Sequence, residues 1–264
     1  MFKYIISILI IYLFFGFLLF FFQRKIIFNI SGKPKKPTEY GLYNIEELKI
    51  FTDDNIELLC WYSKPLNNNP ILVYFHGNSF DIGERAYRIE KYINYGWGVL
   101  LVSWRGFSGN KGIPTETNLY LDAESIIKWI DKKKLNKKND IVLYGESLGT
   151  GVVIEMATRY SFKSVILEAP FTSITDLAQK KYKIYPAKFL VLDKFDNFSK
   201  IGKITSPILI ISGKKDEIVP HSHSLKLYNK ANKPKDCLFI DEAMHNNLYD
   251  FGIEKKVIEF NNNK

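Results

Sequence analysis

Nineteen consecutive positions, Tyr4–Phe22, carry no charge: "YIISILIIYLFFGFLLFFF". Such a run has no polar face to offer water, so it cannot form an ordinary surface helix of a soluble domain. As a helix rising about 1.5 Å per residue it extends about 28 Å, close to the thickness of a bilayer's hydrocarbon layer. Three readings compete: a membrane anchor, a cleavable signal peptide and a buried helix. A signal peptide has a shorter apolar core and small residues at its cleavage site. Here the run passes through Phe20-Phe21-Phe22 into Gln23-Arg24-Lys25 with no small residue. Residues 1–25 are therefore expected to form an uncleaved, single-pass anchor. Lys3 precedes the span and Arg24, Lys25, Lys33, Lys35 and Lys36 follow it. That excess of positive charge favours a main domain on the cytoplasmic side. The next stretch, "NISGKPKKPTEYGL", suits neither helix nor strand. The expected division is anchor 1–25, linker 26–42 and folded domain 43–264.

A chain of 264 residues, 46% of them hydrophobic, can bury the core of one large α/β domain or two small ones. Its net charge of +9 comes from 32 Lys and 5 Arg scattered along the whole length. Nucleic-acid binders more often gather their basic residues on one stripe. The scatter reads as a solvated surface, with attraction to anionic lipid as the other reading, and no nucleic-acid partner is expected. The two cysteines, Cys60 and Cys237, lie in distant apolar runs, so both are expected as buried thiols without a disulfide.

From Tyr43 onward strand and helix signals alternate. "IEELKIFT" and "IELLCWYS" flank Asp53-Asp54-Asn55 as an antiparallel hairpin would. "PILVYFHG", "GVLLVSW", "DIVLYG", "KSVILEA" and "SPILIISG" are continuous apolar runs, the pattern of strands covered on both faces; "DCLFID" follows as a last strand. Between them lie helical patterns, the clearest being "NLYLDAESIIKWIDKKK", with Leu119, Ala123, Ile126, Ile127 and Ile130 on one face and Lys at its end. Such alternation predicts a mainly parallel sheet with helices on both faces. Phe171–Ser206 lacks a strand signal and is rich in aromatics, so 171–206 is expected as a small cap beyond the sheet edge.

One strand runs straight into a Gly-x-Ser-x-Gly turn and then a helix: "VLYGESLGTG". The pattern alone is weak, but a buried strand before it and a helix after it are what a nucleophile elbow requires. Gly145 and Gly149 remove side chains that would collide at so sharp a turn. Ser147 is then held near a helix N-terminus, with unpaired N–H groups and a positive dipole. A serine hydroxyl needs a base to take its proton. Of the four histidines, His76 precedes Ser147, and His221 and His223 open a helix, where a surface role is the default. An H-x-H metal pair would need further ligands that the neighbourhood lacks. His245 follows the strand "DCLFID" in a loop at the carboxyl edge of the sheet, where open α/β sheets build their sites. The acid is expected between them, past a strand end, and Asp216 in "ISGKKDEIVP" fits; Glu217 would point elsewhere, and Asp176, Asp193 and Asp196 read as surface carboxylates of the cap. Oxyanion donors are expected from the N–H of Leu148 and the loop after an earlier strand, with Asn78 first and Ser79 in reserve.

These residues and their surroundings resemble the α/β-hydrolase superfamily, specifically α/β-hydrolase-domain serine hydrolases with a single N-terminal membrane anchor. "YFHGNSFDIGER" is similar to the family's oxyanion loop, "VSWRGFSGNKGIPTE" to its Arg-Gly segment and "LYGESLGTG" to its elbow. "LEAPFTS", "KFDN" and "ISGKKDEIVP" are similar to its later strand, loop and acid loop. Met244 stands where the family often has Gly before its histidine. The resemblance implies an α/β-hydrolase fold, the triad Ser147, Asp216 and His245, and a structural role for Arg105 and Gly106. It also implies ester, thioester or amide hydrolysis without metal or cofactor. The leading expectation is a membrane-anchored hydrolase of acyl esters or thioesters with a lipid-like substrate, whose chain the aromatics at 182–198 would line. A peptidase or amidase with the same triad and a non-catalytic membrane-tethered binding module are the alternatives; oligomeric state, chain length and head group are not legible.

Overall fold

Short runs of Val, Ile and Leu with both faces apolar form the central strands of a computed structural model, which describes residues 2–30, 32–135 and 140–262. Met1 and residues 263–264, at the outer limits of the expected anchor and domain, lie outside the described residues. Eight strands form one sheet: β1 (Glu46–Phe51), β2 (Glu57–Ser63), β3 (Ile71–Phe75), β4 (Gly98–Val102), β5 (Ile141–Glu146), β6 (Ser164–Glu168), β7 (Ile208–Gly213) and β8 (Lys235–Ile240). Their order is β1-β2-β4-β3-β5-β6-β7-β8. The hairpin β1–β2 is antiparallel, β2 meets β4 antiparallel, and every pairing from β4 through β3 to β8 is parallel.

Alternation along each strand divides the core in two. Val73 and Phe75 face one cluster, with Leu119, Ile126, Val152 and Leu227. Leu72 and Tyr74 face the other, with Ile89, Tyr92, Ile253 and Val257. Helices α3 (Glu116–Lys133), α4 (Leu148–Arg159) and α8 (His221–Lys230) thus cover one face; α2 (Ala86–Asn94) and α9 (Ile253–Asn262) cover the other. Thr115 caps α3 by accepting from the Asn118 N–H at 3.1 Å, and Lys132 and Lys133 face its negative end. Arg105 is buried, bound to Asp122 at 2.6 Å and to Asp54 of the β1–β2 turn at 2.7 Å, so it locks that hairpin to α3. Cys60 is buried as expected, but Cys237 is only half-buried, because β8 is an edge strand.

Residues 171–206 contain three short α-helices, a 3₁₀ turn at Ile201–Lys203 and no strand: α5 (Ile174–Lys181), α6 (Ala187–Leu190) and α7 (Asn197–Lys200). The long apolar helix α1 (Phe2–Ile27) runs beside them. The described residues of the expected linker 26–42, which exclude Ser31, are not a free tether. Phe28, Pro37 and Leu42 are buried, and Pro37–Tyr40 forms a single 3₁₀ turn. Ile26 and Ile27 still belong to α1, so the helix outruns the expected anchor, and the glycine, proline and lysine that follow say nothing about contact.

Candidate active site

The end of β5 fixes the first group. Ser147 sits between β5 and α4 with φ 48° and ψ −113°, a conformation a non-glycine residue holds only under constraint. Its neighbours supply the constraint. A Cβ on Gly145 would lie 2.7 Å from the Thr150 Cα, and one on Gly149 would drive into the Phe75 carbonyl. The Ser147 N–H donates to the Glu168 carbonyl at the end of β6 (2.8 Å), and its own carbonyl accepts from the Thr150 N–H (2.9 Å).

Two loops at the same sheet edge bring in the next groups. His245, beyond β8, lies with Nε2 3.0 Å from the Ser147 Oγ. Its Nδ1 is 2.7 Å from Oδ2 of Asp216, beyond β7. An ionised carboxylate only accepts, so Nδ1 carries the proton and Nε2 is free to accept from the serine hydroxyl. The Asp216 side chain is fully buried, and its other oxygen accepts from the N–H groups of Ile218 (2.9 Å) and Val219 (2.8 Å). Glu217 instead lines the adjoining cavity. Met244 is accommodated without a glycine: its N–H donates to the Asn247 Oδ1 at 2.8 Å.

Opposite Ser147 runs the loop after β3. A Cβ on Gly77 would lie 3.5 Å from that of Ser147, so bare backbone faces the serine here. Asn78, Ser147 and Leu148 line one cavity, and neither the Asn78 nor the Leu148 N–H has an acceptor among the described residues. The rest of Asn78 is used differently: its side-chain Nδ2 donates to the Ile27 carbonyl at 3.0 Å, and its backbone carbonyl accepts from the Asn29 N–H at 3.0 Å. His76 stays out of the chemistry. Its buried ring packs on Trp104 and Phe107, and burial, helped by Arg85, holds its pKa down to about 3.

The sequence reading missed an ionic layer beneath the serine. Arg85 binds both oxygens of Glu146 (2.8 and 3.0 Å), and Arg88 binds Glu168 at 3.1 Å. Tyr74 and Tyr144 donate to the same two carboxylates. Burial alone would raise the Glu146 pKa, but Arg85 and Arg88 outweigh it and hold the group ionised; Glu168 is raised by burial. Arg85 also donates to the Ser79 carbonyl at 2.8 Å, so one guanidinium joins the loop after β3 to the residue before Ser147. Two of only five arginines three residues apart on a short helical stretch were the available signal.

Two further expectations need correction. His223 is buried, not on the surface; its Nδ1 lies 2.7 Å from the Thr172 hydroxyl. His221 is partly buried, 3.0 Å from the Ser212 hydroxyl. Asp193 is buried as well, accepting from Arg24 of α1 (2.9 Å) and from the Glu116 N–H (2.9 Å). The causes differ: Thr172 of the cap packs onto His223, while Asp193, itself in the cap, is covered by α1 and the start of α3. Among the described residues no three His, Cys, Asp or Glu side chains gather as a metal site would need.

A cavity of about 640 Å³ adjoins Ser147, within the range of small-molecule sites. Tyr182, Tyr185 and Leu190 line it as expected of the cap, with Leu177. Phe189 and Phe198 are exposed and Phe195 lies in the core, so these three aromatics do not. The opposite wall was not anticipated: Leu19, Phe20, Gln23, Ile26 and Ile27 of α1.

Known proteins share this architecture. A model of the prolyl oligopeptidase family matches residues 114–246. Human alpha/beta hydrolase domain-containing protein 17B is 34% identical over 185 residues, 69% of this chain and 62% of its own length, so the chain spans less than two thirds of that relative. An uncharacterized protein of Mycobacterium tuberculosis is 29% identical over 226 residues, 85% of this chain and 80% of its own. Among solved structures, the Pyrococcus furiosus esterase Pf2001 superposes with a TM-score of 0.71 at 19% identity, covering 88% of this chain and 96% of the esterase. Est1E from Butyrivibrio proteoclasticus, with ferulic acid bound, gives 0.68 at 19% identity over 80% of this chain and 98% of its own. At such identity these two speak to the fold.

Proposed function

The chain belongs to the prolyl oligopeptidase family of the α/β-hydrolase superfamily and is a hydrolase on that fold; from that premise we propose a membrane-anchored serine hydrolase of acyl esters or thioesters. The observation that carries the reading is the line Asp216–His245–Ser147, 2.7 and 3.0 Å, ending at an apolar cavity. Ser147 attacks the acyl carbonyl as His245 Nε2 takes its proton. Asp216 fixes the tautomer and stabilises the imidazolium that forms. The Leu148 and Asn78 N–H groups receive the oxyanion at the N-terminus of α4, and each such donor contributes about 3–4 kcal/mol. His245 returns the proton to the leaving alcohol or thiol, and water, deprotonated by the same ring, releases the acid. Helix α1 serves as the anchor, with its basic exit favouring a cytoplasmic domain; hydrogen bonds from its last turns to the domain support retention over cleavage.

The test is a fluorophosphonate probe. It labels Ser147, and labelling is lost in Ser147→Ala; labelling that survives the substitution, or none in folded protein, rejects the proposal. The family's peptidase members give a second reading, amide hydrolysis by the same groups. The apolar cavity favours acyl chains, so p-nitrophenyl acyl esters should be cleaved well ahead of aminoacyl nitroanilides.

A further inference from the structure

Helix α1 does more than leave the domain. Its face Tyr12, Gly16, Leu19, Gln23 and Ile27, spaced by three and four, lies along the cap. Tyr12 stacks on Tyr185 with ring centroids 4.7 Å apart, the Tyr12 hydroxyl donates to the Ile184 carbonyl (3.0 Å), and the Tyr185 hydroxyl donates to the Tyr12 carbonyl (2.9 Å). Gln23 donates to the Leu190 carbonyl (3.1 Å) and accepts from the Leu192 N–H (2.8 Å). These contacts fix depth. Tyr12 to Ile27 is about 22 Å of helix held beside the domain, which leaves residues 2–11, about 15 Å, free of it. That is about half of a 30 Å hydrocarbon layer. A helix crossing the bilayer therefore carries the tip of the cap into the leaflet with it.

The cap is composed for that position. Ile184 (71% exposed), Phe189 (80%) and Leu192 (50%) present apolar side chains outward beside α1. Lys180, Lys181, Lys183 and Lys188 are exposed among them, suited to anionic head groups, with stems that lie along apolar surface. The cavity beside Ser147 lies between this cap and α1. We propose that α1 and residues 182–192 form one membrane-embedded surface, and that an acyl chain reaches Ser147 sideways from the leaflet, between helix and cap. The last two turns of α1 are then the specificity-determining wall of the site. This rests on the acyl-hydrolase reading for the substrate, whereas the embedding rests on the packing together with α1 as the anchor.

The experiment uses the full chain in phosphatidylcholine–phosphatidylserine vesicles. In a Cys237→Ser background, an NBD label at Phe189→Cys should be quenched by doxyl groups on the lipid chains, and a label at exposed Lys132→Cys should not. Separately, Ile184→Asp with Phe189→Asp should slow cleavage of a long-chain S-acyl peptide held in the vesicles about tenfold or more, since a carboxylate in the leaflet is costly. Hydrolysis of soluble p-nitrophenyl acetate should be unchanged. Equal quenching at 189 and 132, or an unchanged vesicle rate, overturns the proposal. No acetate hydrolysis by the unsubstituted chain would instead reject the hydrolase reading, and the quenching result would still decide the embedding.

Discussion

The two walls of the cavity are built on opposite principles. The polar wall, Ser147, His245, Asp216 and the loop of Gly77 and Asn78, stands on strand ends of one sheet. Buried side chains brace it: Arg85 joins that loop to Glu146, and backbone N–H groups hold Asp216. The apolar wall joins a helix from the first residues to a cap about 170 positions later, through stacked rings and a few hydrogen bonds. Chemistry demands fixed distances of about 3 Å between reacting groups, and only a rigid, over-determined frame holds them. Accommodating a flexible chain demands volume and apolarity, which loosely tied helices provide.

The sharpest way to break this contrast is on the polar wall. Asp216→Asn keeps the shape but removes the acceptor that sets the His245 tautomer, so kcat/KM on a soluble ester should fall on the order of 10⁴-fold with the fold intact. A loss below tenfold would mean that the three groups are not working as a unit. Arg85→Met tests the bracing. It leaves the buried Glu146 carboxylate the Tyr74 hydroxyl at 2.9 Å and, as its remaining cation, Arg88 at 3.5 Å, and loss of a buried charged partner costs about 3–5 kcal/mol. The folded Glu146 pKa lies below its ordinary 4.5, so its stabilisation is present above pH 4.5 and lost as pH falls toward the folded value. The variant's deficit, read by denaturant melts, should therefore be largest at neutral pH and shrink in acid. A deficit that does not vary with pH would assign Arg85 a packing role only.

The same contrast explains what could be seen in the sequence. The elbow, the acid loop and the histidine loop are local strings at strand ends, and the alternating apolar runs fixed which edge they share. Gly145 and Gly149 were legible because each removes a clash within a few residues. The ionic layer was less so, since Glu146 is merely the variable position inside Gly-x-Ser-x-Gly and its partner lies 61 residues earlier. Asp193 and His223 were misread as surface groups because local composition cannot say what folds over them. The α1 wall was illegible for a stronger reason: an uncharged run is read as a partner of lipid, and nothing in its composition separates a lipid-facing Leu19 from one that lines a cavity.

That wall gives the smallest and most discriminating effect. Leu19 lies on the cavity side of α1, two turns before the Ile27–Asn78 hydrogen bond. Leu19→Trp adds bulk without charge, so helix and anchor should persist while the far end of the cavity is filled. Changing a hydrophobic pocket by this much alters selectivity by about 1–3 kcal/mol. With p-nitrophenyl esters of increasing chain length, kcat/KM for the acetate should hold and that for long chains should fall about 10–100-fold. Exposed Leu9→Trp, on the part of the helix beyond the cap, should leave the series unchanged. If both variants left the series unchanged, chain selection would belong to the cap alone and α1 would be only a tether. A parallel fall for every ester under Leu19→Trp would instead mean that the helix acts through the Asn78 loop, joining the two walls into one mechanical unit.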